Sequence, residues 1–132
     1  MKYYCHDNFG QLPEKAWHSL LDRTIGNATH LEVSRLFSET PFSDVLAAAA
    51  VPLPQHIDRP YAATHRFLLT PEVIAEIKSK TYKDWDNYDS EDPAFYQKDI
   101  LLLGTITHED YVVMGLDEKD RIELNSQGFH FW

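Results

Sequence analysis

The sequence has 132 residues, 43% of them hydrophobic and 25% charged, a balance that suits a folded chain and excludes wholesale disorder. Its 21 acidic and 12 basic residues leave a net charge of −9, which speaks against binding nucleic-acid phosphates or an anionic membrane surface, since both require clustered Lys and Arg. The longest apolar run, Val45 to Val51, falls far short of the roughly 20 residues of a membrane span, the first residues turn polar before a signal-peptide apolar stretch can form, and the lone cysteine excludes an internal disulfide or a thiolate zinc cluster. A single soluble, cytoplasmic domain over residues 1–132 is expected.

Residues 2–9 alternate weakly and predict a short strand. Pro13 and Glu14 mark a helix start, apolar residues recur at helical spacing through Trp17, Leu20 and Leu21, and Gly26 supplies a stop, so a helix is predicted over about 13–25. Residues 28–38 fit both periods: Leu31, Val33 and Arg35 alternate, whereas Val33, Leu36 and Phe37 suit a helix, and helix is the choice made here. Thr40-Pro41 and Ser43-Asp44 offer caps for an alanine-rich helix ending near Ala50. Three prolines make 51–60 an extended connector, and Ala63, His65, Phe67 and Leu69 place a strand over 61–69. Thr70-Pro71-Glu72 starts a helix over about 71–80.

From 81 to 98, aromatic residues and acids interleave with no clean period. Ile100 to Ile106 is almost continuously apolar and suits a central strand; Tyr111 to Leu116, Arg121 to Leu124 and Phe129 to Trp132 then read as further strands of a meander. The fold class is α+β: N-terminal helices packed on a mostly antiparallel sheet with a C-terminal β-meander.

The charge is unevenly spread. Residues 1–83 are neutral overall, and so are the last twelve, whereas residues 84–120 hold eleven acids against Lys98 and Lys119 and carry the whole −9. Such a stretch suits a cationic partner or plain solvation. Tyr82, Trp85 and Tyr88 stand three apart, which aligns them if this piece is helical. These rings serve either as anchors for a partner or as packing on the protein's own sheet.

Catalytic motifs are absent. Counted from Asp84, the place of the glycine in a calcium-binding EF-hand loop is taken by Asp89. Cys5 and His6 are neighbours and face opposite ways in a strand, and neither a nucleophile elbow nor a phosphate-cradling glycine loop occurs. No catalytic residue, metal ligand or cofactor is therefore assigned. The alternatives are a small metal-dependent enzyme in which the fold unites His56, Asp58, His108 and Asp110, an acidic DNA mimic that antagonises a nucleic-acid enzyme, or a structural subunit.

Leu101-Leu102-Leu103-Gly104 followed by Asp110-Tyr111-Val112-Val113-Met114-Gly115-Leu116-Asp117 is similar to the C-terminal half of the SUKH immunity superfamily, where an apolar strand and a glycine precede a Gly-Asp-Tyr-like strand with aspartate at its end. In its acidity and its lack of catalytic motifs the chain resembles the bacterial immunity proteins of polymorphic and contact-dependent toxin systems. The resemblance implies a stoichiometric inhibitor, not an enzyme, whose partner is a basic toxin domain, frequently a nuclease, with neither nucleic acid nor membrane as ligand. It implies a binding surface in which Asp84, Asp86, Asp89, Glu91 and Asp92 supply charge and Trp85 and Tyr88 supply anchors.

Overall fold

Among the described residues, twelve apolar or aromatic side chains drawn from helices, strands and turns are at most 1% exposed, among them Trp17, Leu20, Leu31, Val73, Trp85 and Phe95, and they belong to one continuous cluster. The computed structural model describes residues 1–35, 39–54, 64–86 and 89–132. Among these residues the strands are β1 (Lys2–Asp7), β2 (His30–Ser34), β3 (Ala50–Val51), β4 (Thr64–Leu68), β5 (Glu91–Gln97), β6 (Ile100–Ile106) and β7 (Tyr111–Leu116). They form one antiparallel sheet in the order β1-β7-β6-β5-β2-β4-β3. The helices are α1 (Lys15–Ile25), α2 (Asp44–Ala49), α3 (Pro71–Lys78) and α4 (Glu118–Ser126). The α+β class holds; of the expected meander β6 and β7 are present, and β5, which the sequence did not suggest, pairs with β6 on its other side. No helix among the described residues is long and apolar enough to cross a membrane.

Local sequence explains most of these elements. Ala16, Trp17, Leu20, Leu21 and Thr24 form the buried stripe of α1, and the Thr24 hydroxyl is satisfied inside the core by donating to the Leu20 carbonyl at 2.7 Å. In α3, the Thr70 hydroxyl accepts the Val73 N–H at 3.2 Å, and Pro71 occupies the first turn, where its missing N–H costs nothing. Helix α2 begins later than Thr40-Pro41 suggests. Its cap is Ser43, whose hydroxyl accepts the Leu46 N–H, while the Thr40 carbonyl accepts from the Arg35 guanidinium outside the helix.

Three expectations are corrected. Residues 30–34 form a strand, not part of a helix, because β4 and β5 hydrogen-bond both edges of β2. Its burial pattern hides the alternation: Leu31 and Val33 enter the core, and Glu32 on the opposite face is buried too. Residues 121–124 belong to α4 and not to a strand; Asp117 caps the helix by accepting the Asp120 N–H at 2.8 Å, and Leu124 is its buried residue, so no apolar period marks it. Residues 129–132 form no full strand. After Gly128 turns at φ 109°, Phe129 and Phe131 insert into the core, and Trp132 exchanges two backbone hydrogen bonds of 2.9 Å with Cys5 on the outer edge of β1. The ends of the predicted helix 28–38, of the connector 51–60 and of the strand 61–69 fall partly at 36–38 and 55–63, outside the described residues.

Glu32 is tolerable inside the sheet because Arg66 lies directly opposite on β4 and donates to its carboxylate at 2.7 Å, both side chains being under 5% exposed. The same guanidinium donates to the Lys98 carbonyl and rests over the Tyr96 ring, 5.5 Å from its centroid. Removing one member strands the other's charge in the interior. Arg66→Ala is expected to lower unfolding stability by about 3–5 kcal/mol, and pairing Arg66→Met with Glu32→Leu to recover most of the loss, as measured by urea denaturation.

Candidate functional site

Antiparallel pairing brings distant acids to one end of the sheet. Asp7 closes β1 opposite Tyr111, Tyr111 also faces Ile106 at the end of β6, and Glu91 begins β5 beside Ser34. The turn Thr107–Glu109 links β6 to β7 at this same end. Two acids sit there in the left-handed conformation, Asp92 and Asp110, each with φ 54°. Short polar side chains tolerate that geometry better than others because they bond locally. Asp92 lies where the β2–β5 register slips between Glu32 and Ser34, so the bulge turns it away from the ladder.

Each of these two carboxylates is fixed by donors. One oxygen of Asp92 accepts the Thr107 N–H at 2.8 Å and the Thr107 hydroxyl at 3.0 Å. Asp110 accepts the Gly10 N–H at 2.7 Å and the Tyr82 hydroxyl at 3.0 Å. Burial, followed by that bond and the negative charge of Asp110, raises the Tyr82 pKa far above the ordinary phenol value. Beside Asp110 opens a cleft of about 450 Å³ lined by Tyr82, Lys83, Asp86, Thr107, His108 and Asp110.

Glu91 differs from its neighbours. It is 5% exposed, and burial pushes its carboxyl upward, with Asp92 adding to the shift, His108 opposing it and Asp86 adding again.

The surface expected from the sequence divides on inspection. Asp86 and Asp89 are exposed, Asp92 is half-buried and Glu91 is buried. Asp84 is exposed but closes a capping box, accepting the Thr81 N–H at 2.8 Å while the Thr81 hydroxyl accepts the Asp84 N–H at 3.3 Å; these bonds hold its carboxyl below the ordinary range. Trp85 is no surface anchor. It is 1% exposed, because the 3-10 turn Tyr82–Trp85 puts both rings on the same inward side, and Lys80 covers the indole with its ammonium 4.2 Å from the ring centre. Tyr88 lies outside the described residues. Of the proposed His/Asp set, His108 and Asp110 line the same cleft, while His56 and Asp58 fall outside the described residues. Cys5 and His6 do face opposite ways: Cys5 accepts a hydrogen bond from the Tyr111 hydroxyl, and His6 enters the core.

One residue at this end went unread in the sequence. Trp132 is 67% exposed, and its indole N–H donates to Asp7 at 3.1 Å. The alternation of Phe129-His130-Phe131-Trp132 carries the signal, since two inward phenylalanines put His130 and Trp132 outside.

No protein-family model, curated protein or solved structure matches the chain. Residues 101–104 lie on β6 and 110–117 run along the neighbouring β7, with Asp110 in the cleft and Asp117 capping α4.

His6 adds a pH response beneath this end of the sheet. Its ring meets Phe9 and Phe131 edge-on, with centroids 5.2 and 5.1 Å away. Its Nδ1 lies 2.9 Å from the Asp7 carbonyl, and its Nε2 is buried without a hydrogen-bond partner among the described residues. Burial holds the pKa below the ordinary imidazole value of 6.5, outweighing Asp7 and Asp110, while His130 pushes it the same way as burial. A depressed folded pKa means that stability is complete above about pH 6.5 and is lost as the pH falls toward the folded value. Unfolding stability is expected to fall as the pH drops below about 6.5, and His6→Phe to flatten that slope in denaturation curves; His30 and His65, also lowered mainly by burial, retain the remainder.

Proposed function

We propose that the chain is a stoichiometric inhibitor of the toxin-immunity kind, which uses the acidic end of its sheet to occupy the basic face of a toxin nuclease. The observation behind this reading is that Asp7, Asp86, Asp89, Glu91, Asp92, Glu109 and Asp110, from separate parts of the chain, converge on one end of one sheet. A nuclease must be cationic where it holds phosphate, so a rigid array of carboxylates is complementary to that place. Within the array, Asp92 and Asp110 are fixed by backbone and hydroxyl donors, which orient these carboxylates without cancelling their charge.

Binding energy also needs an apolar anchor that a partner can enclose. Trp132 fills that role in place of Trp85: it stands exposed beside Asp7, on the edge of the same array. Long-range attraction by the acids then governs encounter, and the indole governs residence.

The chain, immobilised and exposed to a lysate of its native organism at about 50 mM and about 500 mM salt, is expected to capture one basic protein stoichiometrically and to lose it at the higher salt. The captured protein should cleave nucleic acid, and one equivalent of this chain should stop it. Neutralising Asp86, Asp89 and Glu109 together is expected to slow association at least about tenfold at low salt with little change in dissociation, whereas Trp132→Ala accelerates dissociation. Unchanged kinetics in both variants would place the contact elsewhere.

A further inference from the structure

We infer that Glu91, Asp92 and His108 form a binding site for one divalent transition-metal ion of the zinc or manganese type. One potential ligand atom from each residue lies within 4.8 Å of the other two. Ligand atoms around zinc stand about 3–4 Å apart, each about 2.1 Å from the metal, so small side-chain rotations complete the set.

Proximity of acids alone would not distinguish a site from a solvated patch. Glu91 makes the distinction. Glu91 is only 5% exposed, and no donor or cation of the described residues reaches its carboxylate, whose oxygens are left with a narrow contact to water. A carboxylate with so little water around it and no donor beside it is costly to keep charged. A cation between Glu91, Asp92 and His108 supplies the missing partner.

The surroundings meet two further requirements of a metal centre. The Asp92 oxygen that accepts from both Thr107 donors orients this carboxylate and leaves its second oxygen for coordination, as outer partners do around known metals. His108 is exposed on a cleft whose wall also carries Lys83, Asp86 and Asp110, so an ion can enter from water. The donor set selects the metal. One imidazole with two carboxylates suits zinc or manganese, whereas calcium and magnesium favour oxygen-only shells. Three protein ligands leave a coordination position for water or for a donor from outside the chain.

The inference is independent of the inhibitor reading, because the metal alone serves as its probe. The full chain, stripped with chelator, is titrated calorimetrically with Zn²⁺ and Mn²⁺, with Ca²⁺ as the contrast. One zinc or manganese ion per chain is expected to bind, more tightly than calcium. Glu91→Gln and His108→Ala should each weaken binding tenfold or more, with circular dichroism checking that each variant folds. In the unsubstituted chain, imidazole nitrogen resonances report the site directly: that of His108 should shift with one equivalent of Zn²⁺, and those of His6 and His130 should not. Absence of saturable binding, parental affinity in either variant, tighter binding of calcium, or an unshifted His108 resonance would each overturn the site.

Discussion

The ring of Tyr82 rests against Phe9 and Trp17, with centroids 4.9 and 5.5 Å away, and this contact decides where the acids of the following stretch can go. Trp85 and Phe95 enter the same core, so the acid-rich segment between them is pinned to the body through its aromatic residues. Of the carboxylates between those pins, Asp86 and Asp89 face outward, whereas Glu91 is drawn in beside Asp92. Glu14 assists from α1, its carboxylate accepting the Tyr82 N–H at 3.3 Å. Hydrophobic burial thus does the positioning, and electrostatics inherits the result.

Holding like charges together at one end of a sheet is unfavourable unless local donors offset the repulsion. Asp110 has Gly10 and Tyr82, Asp92 has Thr107, Asp84 has Thr81 and Asp7 has the Trp132 indole. These donors come from neighbouring turns and backbone, which fixes each carboxylate without cancelling its charge. The opposite arrangement operates between β2 and β4. There Arg66 neutralises Glu32 fully inside the structure, and that charge has no reach into solvent. One protein therefore keeps its carboxylates in two regimes, one for holding strands together and one facing outward.

What could be read from the sequence follows how strongly each element expresses a single period. Helices α1 and α3 carry a buried stripe with Pro13 or Thr70-Pro71 at the start, and β6 and β7 are apolar runs separated by a polar turn; all four were legible. Strand β2 was not, because Glu32 looks exposed until its partner, 34 residues away, is known. Helix α4 buries little beyond Leu124, and its cap at Asp117 resembled a turn between strands. Strand β5 contains Pro93 and a bulge at Asp92, which together erase the alternation. At the candidate site the charge stretch was visible, but its division was not: spacing put Tyr82 and Trp85 on a common side without saying that the side was inward. The contributions of Asp7 and Glu109 depend on antiparallel pairing, which no local pattern encodes.

The two rims of the sheet have a bearing on how molecules of this protein can meet. On one rim, Trp132 occupies the middle of β1 through its paired backbone bonds to Cys5. On the other, β3 offers two residues, Ala50 and Val51, fewer than a strand from another chain needs for a stable ladder. Lateral growth of the sheet into filaments is discouraged on both sides, as is capture of an extended peptide by strand addition. A concentrated solution of this chain should therefore resist the edge-to-edge aggregation to which open antiparallel sheets are prone.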